Sequence, residues 1–346
     1  MSDLESWAAA HLDETCVKAI VGVRGANKTG ALEVVRNLIR ARGVDDARLV
    51  SIDFEDVRFR HLKTADDVLA FLHRLPGCAM ARYLFLDEIG RIGAHAELLH
   101  RLHELPAWNV WVASSTATAI GAGDEAFRPY PWVCAFRLWP DPAQPRSTCV
   151  LERIWCEIFM RDVACCVNHP DIRAKEALAE YISDRLGERT TLREVAAELR
   201  VCGRVLAANS IRAYRKALEL CYLVEASEVF DVFEKRVIPK CGVRLFYTDL
   251  ELRAWRFGAA PTFEAERVAV NELYLKLRRT YEKVYTPYGK DADFVTVEPD
   301  GALRYWSVNS NKTLDIYVFR AVSGGGGGVF SRKKKKTPRQ TAPMCC

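Results

Sequence analysis

Residues 17–29 read Val17-Lys18-Ala19-Ile20-Val21-Gly22-Val23-Arg24-Gly25-Ala26-Asn27-Lys28-Thr29. The first five residues have the apolar character of a short buried strand. Residues 29–42 continue as an amphipathic helix with Leu32, Val35, Leu38 and Ile39 on one face. Strand, glycine-bearing turn, Lys-Thr and helix is the layout of the phosphate-binding loop G-x-x-x-x-G-K-[ST], the Walker A pattern. Such a loop aims backbone N–H groups at phosphates and sets them at a helix N-terminus. On this reading Gly22, Gly25 and Asn27 shape the loop, Lys28 reaches the β- and γ-phosphates, and Thr29 binds Mg2+. Asn27 stands where the second glycine of the pattern belongs. Asparagine tolerates left-handed backbone better than most residues, so the loop survives at a cost of about 1 kcal/mol. The bland alternative is a strand-to-helix turn that happens to contain Lys-Thr.

Working outward, apolar runs at 48–54, 83–86, 109–113 and 133–138 alternate with helical patterns at 65–75 and 95–105. That alternation predicts an α/β fold, a P-loop NTPase parallel sheet with helices on both faces. The run Tyr83-Leu84-Phe85-Leu86-Asp87-Glu88 ends in two acids, the Walker B pattern. Asp87 would complete the Mg2+ site and Glu88 would polarise the attacking water. The next strand ends in Ser114-Ser115-Thr116, where Ser114 either senses the γ-phosphate or serves the turn. Asp87-Glu88-Ile89-Gly90 also satisfies the D-x-x-G pattern of G proteins. The base-recognising Asn-Lys-x-Asp that such a protein needs after a later strand is missing, so that reading fails.

Pro140, Pro142 and Pro145 mark a boundary after the first domain, residues 1–140. Helical patterns at 173–186, 191–199 and 209–223, followed by a strand at 224–229, predict a helical linker and winged helix-turn-helix over 141–235. Ser210 is a candidate cap of the third helix. That helix carries Arg212, Arg215 and Lys216, which suit either a DNA groove or the docking of a neighbouring domain or protein partner. Residues 236–320 form a small α/β block with strands at 243–247, 283–286, 292–297 and 303–308 and a helix at 263–281. Residues 321–346 contain five consecutive glycines and four consecutive lysines, a solvated tail.

In the third block, Glu266 on the helix and Asp293 on a strand match two positions of a restriction-endonuclease-like metal site. Ser307 and Asn309 occupy the places of its Glu and Lys. The block therefore reads as nuclease-shaped but degenerate.

Charge and cysteines limit the remaining choices. The net charge is +5, but residues 321–346 hold six basic side chains and no acid, so residues 1–320 carry −1. Bulk charge is thus no argument for nucleic acid, and only the tail and the basic helix could supply DNA affinity. With 346 residues, 49% of them hydrophobic and 27% charged, the chain can bury a core, which excludes whole-chain disorder. Twelve scattered cysteines with no C-x-x-C and no secretory signal predict a reducing, cytoplasmic setting. Cys165-Cys166 with His169 hints at a metal but lacks a second ligand pair. The closing Cys345-Cys346 behind the lysines reads as a basic tail rather than a lipid anchor. No run is long enough for a membrane span.

Taken in order, Gly22–Thr29, residues 83–89, Ser114-Ser115, Phe159-Met160-Arg161-Asp162, Ile211-Arg212-Ala213-Tyr214, residues 244–249, 266–273 and 291–295 resemble a prokaryotic family of ATP-binding proteins. That family joins an AAA+-like P-loop domain, a winged helix and a C-terminal endonuclease-like domain of unknown function. The resemblance implies ATP and Mg2+ binding, and makes Arg128 the nearest candidate for a nucleotide-sensing arginine. The chain departs from the pattern at Asn27, at Arg244 in place of lysine, and at Glu251 in place of glycine.

The expectation is an ATP-binding protein, a slow Mg-dependent ATPase acting as a nucleotide-controlled switch. A non-hydrolysing nucleotide- or DNA-binding module and an ATP-regulated nuclease are the alternatives.

Overall fold

The computed structural model describes residues 3–75, 82–121, 129–167, 171–258, 264–289, 291–308 and 314–319. In chain order its elements begin with α1 (Asp3–His11), β1 (Val17–Val21), α2 (Lys28–Ala41), β2 (Leu49–Asp53), α3 (Ala65–Arg74), β3 (Arg82–Asp87), α4 (His95–His103), β4 (Trp108–Ser114) and β5 (Val133–Arg137). They continue with α5 (Thr148–Glu157), a π-helical turn Ile158–Asp162, α6 (Val163–Cys166), α7 (Ile172–Asp184), β6 (Arg189–Thr190), α8 (Leu192–Val201), α9 (Ala208–Leu220), β7 (Val224–Asp231), β8 (Arg236–Val237) and β9 (Val243–Tyr247). Last come α10 (Leu250–Phe257), α11 (Glu264–Thr280), β10 (Thr286–Tyr288), β11 (Phe294–Val297), β12 (Leu303–Val308) and β13 (Leu314–Phe319).

The chain divides into two compact units. The first comprises Met1–Glu180, Arg204–Glu225 and Thr248–Gly258, and the second Tyr181–Gly203, Ala226–Tyr247 and Ala259–Cys346. In the first unit the strands form one sheet in the order β2-β3-β4-β1-β5. Each adjacent pair runs parallel. The expected parallel sheet is therefore present, and its strands start and stop within a residue or two of the sequence reading. All five residues of β1 are buried, as a central strand covered on both faces requires.

Leu32, Val35 and Ile39 of α2 pack with Ile20, Phe85, Trp111 and Ala113 in one core cluster, joined by Leu4, Ala8 and Leu12. Burying such side chains contributes about 1.5–3 kcal/mol each. The helix α1 was not read from the sequence. It has only nine residues, and its apolar side chains are held by the sheet rather than by intrinsic propensity. A capping box between Thr64 and Asp67 starts α3.

The helix α9 begins at Ala208 after the N-cap residue Ala207, so Ser210 lies inside it and does not cap it. The helix α10 is a further element that the sequence pattern did not disclose. It opens where the Asp249 side chain accepts a hydrogen bond from the Leu252 N–H.

In the second unit, β10-β7-β9-β6 form one sheet and β11-β12-β13 another. A core of Phe246, Leu273, Tyr274, Leu277, Phe294 and Trp306 joins α11 to these strands. The strand expected at 283–286 is found at Thr286–Tyr288, preceded by a bridge from Tyr285 to Val295. Among the described residues no helix is long and apolar enough to cross a membrane.

Candidate functional site at the ends of three parallel strands

In a parallel sheet the carboxyl ends of the strands lie along one edge, and loops leaving that edge can converge. β1 leaves through Gly22, β3 through Asp87-Glu88, and β4 through Ser114-Ser115. The strand β4 lies between β1 and β3. The Gly22 N–H donates to the Ser114 carbonyl at 3.4 Å, which holds the start of the loop to β4.

Two loop glycines have steric reasons. A Cβ on Gly22 would lie 2.2 Å from the Leu138 carbonyl oxygen, so only hydrogen fits. Gly25 has φ +85°, and a Cβ there would also meet the Ile154 side chain at 2.6 Å. Asn27 has φ 63° and ψ 43°, the left-handed geometry that the glycine-like position demands. It is the N-cap residue of α2, with no side-chain cap bond. Its amide packs against Gly30, where a Cβ would come within 2.6 Å of it.

The functional side chains meet beyond this loop. Lys28 is buried, with Nζ 3.4 Å from the Val23 carbonyl and 3.6 Å from Glu88 Oε1. Thr29 Oγ1 donates to Asp87 Oδ2 at 2.5 Å. Asp87 Oδ1 accepts the Glu88 N–H at 2.9 Å. Glu88 itself has φ 49°, an uncommon backbone for a residue with a side chain. Its Oε1 accepts from Ser115 Oγ at 2.7 Å, and its Oε2 is 3.7 Å from Arg24.

Ser114 is fully buried. Its hydroxyl donates to the Thr116 carbonyl and accepts from the Thr116 N–H, so it closes the turn, and Ser115 is the hydroxyl that reaches Glu88. Arg128 lies outside the described residues.

Electrostatically the pocket is rich in carboxylates. Burial pushes the Asp87 carboxyl above its ordinary range, and the nearby charges of Glu88 and Asp53 push the same way, while Thr29 and Lys28 act in opposition. Asp53 is paired in register with Asp87 across β2 and β3. The hard oxygen donors Thr29 Oγ1 and Asp87 Oδ2, with the carboxylates of Glu88 and Asp53 nearby, are a set suited to Mg2+.

The sequence reading gave no role at this site to Arg24, Glu55, Arg91 or Glu157. Arg24, inside the loop, makes two bonds of 2.9 Å to Asp162 and approaches Glu55 at 3.2 Å and Glu157 at 3.5 Å. Burial works against the Arg24 charge, but Asp162, Glu88 and Glu55 outweigh it and raise its pKa. Glu55 in turn binds Arg91 through Nε at 3.0 Å. The glycine-rich loop drew attention to its backbone and its lysine, and nothing in the spacing linked Arg24 to residues so far along the chain.

In the second unit Glu266 is exposed on α11. Asp293 Oδ2 accepts the Val308 N–H at 2.9 Å, and the Asp293 carbonyl accepts from Arg244 at 2.8 Å. The Arg244 guanidinium lies over both the Phe246 and Phe294 rings, 5.3 and 5.0 Å from their centroids. Ser307 faces Asp315 across β12 and β13, while Asn309 and His169 lie outside the described residues.

Comparison with known proteins finds a similarity for part of the first unit. A family model described as an AAA domain matches residues 14–133. No curated protein matches the chain. Among solved structures, a Walker-type ATPase of Pyrococcus abyssi is similar at 11% identity with a TM-score of 0.41, over 73% of this chain and 94% of that one. Drosophila ORC bound to AT-rich DNA and Cdc6 is similar at 9% identity with a TM-score of 0.25, over 73% and 91%. Cdc6p from Pyrobaculum aerophilum is similar at 12% identity with a TM-score of 0.26, over 64% and 85%. The segment 14–133, which holds β1 to β4 of the parallel sheet and the loop between β1 and α2, is thus an AAA-like P-loop domain.

Proposed function

We propose that the protein binds ATP with Mg2+ in the loop after β1 and hydrolyses it slowly, as a nucleotide-controlled switch. The observation that carries this reading is the meeting of Lys28 and Thr29 with Asp87 and Glu88 at the ends of β1 and β3. Lys28 would hold the β- and γ-phosphates, and Thr29 and Asp87 would hold Mg2+. Bound there, Mg2+ would neutralise charge on the phosphate oxygens. Glu88 would orient the attacking water. Ser115 keeps the Glu88 carboxylate in place, and the left-handed turn at residue 88 fixes its position at the tip of β3.

The test is calorimetric titration with ATP–Mg2+, followed by phosphate release. Lys28→Ala should abolish binding. Glu88→Gln should preserve binding and slow release by about 100-fold or more. Equal ATP affinity in the wild type and Lys28→Ala would overturn the reading.

A second reading, a nucleotide binder without turnover, draws support from Glu88. Its carboxylate faces Lys28, Arg24 and Ser115 together, and a base held by two cations activates water poorly. ATP binding with no phosphate released would favour it.

We further read residues 141–235 as a helical linker and winged helix, on the succession α7, α8, α9 and β7, and residues 236–320 as an endonuclease-like domain. Arg215 of α9 is paired with Glu219 at 2.9 Å and Arg212 donates to Asn209, which weakens rather than favours a DNA-reading role for that helix. The engagement of Asp293 with Arg244 and the Val308 N–H is consistent with a block that does not cleave.

A further inference from the structure

The opposite edge of the sheet, where β1 and β5 begin, gathers four side chains of a different chemistry. The helix α1 ends at His11, and the short segment to β1 carries Glu14 and Cys16. In the pairing of β1 with β5, Cys134 lies across from Lys18. The ligand atoms of His11, Glu14 and Cys134 all lie within 4.8 Å of one another. Glu14 Oε2 is the hub, 3.9 Å from His11 Nε2, 3.9 Å from Cys134 Sγ and 3.3 Å from Cys16 Sγ. A tetrahedral ion with N, O and S ligands at about 2.0–2.3 Å sets those ligands about 3.3–3.8 Å apart. The three spacings from Glu14 Oε2, 3.3–3.9 Å, are close to those of such a shell, and His11 and Cys134, within 4.8 Å of each other, would draw together by up to about 1 Å to complete it.

The histidine supplies an independent indication. His11 Nδ1 lies 2.8 Å from the Trp7 carbonyl, an atom that can only accept, so Nδ1 carries the proton. Nε2 is then the ring nitrogen that faces the cluster, 3.9 Å from Glu14 Oε2. A ring nitrogen tied to a backbone carbonyl, with the other left as donor of its lone pair, is also how metal-binding histidines are oriented. Both cysteines are free thiols and half-buried. Lys18 Nζ donates to the Glu14 carbonyl at 2.5 Å and so holds the backbone of that ligand.

We propose that His11, Glu14, Cys16 and Cys134 form a structural Zn2+ site that ties the end of α1 and the start of β1 to β5. Thiolates select a borderline-soft ion over Mg2+ or Ca2+, and four protein ligands leave no open position for catalysis. Binding releases the two thiol protons to solvent. The site is separate from the nucleotide loop, which leaves the other end of β1.

The test uses the full chain, stripped with a chelator under reducing conditions and titrated with Co2+ and then Zn2+. One equivalent of Co2+ should give tetrahedral ligand-field bands with thiolate-to-cobalt charge transfer, and Zn2+ should bleach them. Cys16→Ser and Cys134→Ser should lose the charge-transfer band. Glu14→Gln and His11→Gln, at partly exposed positions that do not build the core, should weaken binding by about tenfold or more. Cys165→Ser/Cys166→Ser should bind as the wild type does. Absence of the charge-transfer band in the wild type, or its survival in Cys16→Ser/Cys134→Ser, would overturn the proposal. So would a Cys16–Cys134 disulfide in place of metal under the same conditions. ATP titration is read separately, so loss of one site does not decide the other.

Discussion

Arg24 and Asp162 stand 138 residues apart in sequence and form a two-pronged ion pair from the loop between β1 and α2, with both bonds 2.9 Å long. Both side chains are more than nine-tenths buried. Asp162 closes the π-helical turn Ile158–Asp162, a local widening of the helix that is uncommon and often placed at functional sites. The pair fastens the loop to the segment after α5. A buried ion pair adds little over an apolar isostere, yet removing one partner costs about 3–5 kcal/mol because the other charge is stranded.

Asp162→Ala strands Arg24 only in part, since Glu55, Glu157 and Glu88 remain within 3.7 Å. The expected loss is therefore near the lower end, about 3 kcal/mol, in urea unfolding. Arg24→Ala should cost more, since it takes away both hydrogen bonds of buried Asp162 and leaves it near Glu88 with only the more distant charge of Lys28 to oppose. A loss below about 1 kcal/mol for Asp162→Ala would mean that the other three acids replace it fully.

Gly22→Ala places a methyl 2.2 Å from the Leu138 carbonyl oxygen, and that oxygen belongs to backbone. Neither side can give way by a rotamer change, because the Leu138 N–H is bonded to the Val21 carbonyl at 2.7 Å. The loop or the end of β5 must shift. The variant should lose about 1–3 kcal/mol of stability and most of its ATP affinity, read by thermal melting and calorimetry. Unchanged melting would show that the loop is softer than its geometry indicates.

At position 27 the direction depends on the residue introduced. Asn27→Gly removes the strain of a left-handed residue and should alter stability by no more than about 1 kcal/mol, with ATP binding retained. Asn27→Val puts a β-branched side chain at φ 63° and should cost at least about 1–2 kcal/mol. If the two variants melt together, backbone strain is not what selects asparagine there.

Much of the first unit was legible because its signals are local. The strand Val17–Val21 is read from four apolar residues around Lys18 and matches in full, and Asn27, a residue type that tolerates left-handed backbone, adopts it. The pairing of Thr29 with Asp87 followed from two motifs, each on its own element. What stayed hidden depends on distant partners. Arg24 finds Asp162, and His11 and Glu14 find Cys134, only through the order of strands in the sheet. Ser114 and Ser115 are equivalent in sequence, and strand alternation turns one hydroxyl into the turn and the other onto Glu88. The replacement of a glycine by Glu251 also acquires a reason, since its carboxylate accepts from Arg146, which simultaneously grips Asp249.

Asp87 carries the clearest pH dependence. Burial, with Glu88 and Asp53, raises its pKa above the ordinary carboxylate value. A raised folded-state pKa means that the folded protein holds this proton more readily than the unfolded chain does. The stability from the group is thus complete below the unfolded value of about 3.9 and is lost as pH rises through the raised one. At neutral pH the ionised carboxylate is a net cost, borne for the ion it would bind. Asp87→Asn removes that cost while keeping an acceptor for Thr29. It should melt higher than the wild type at pH 7, and the gap should close as pH falls toward 4. Mg2+ should raise the melting temperature of the wild type and leave Asp87→Asn unmoved. A variant that melts lower at pH 7 would show that the Thr29 bond outweighs the burial of charge, and Asp87 would then be a structural acid rather than a metal ligand.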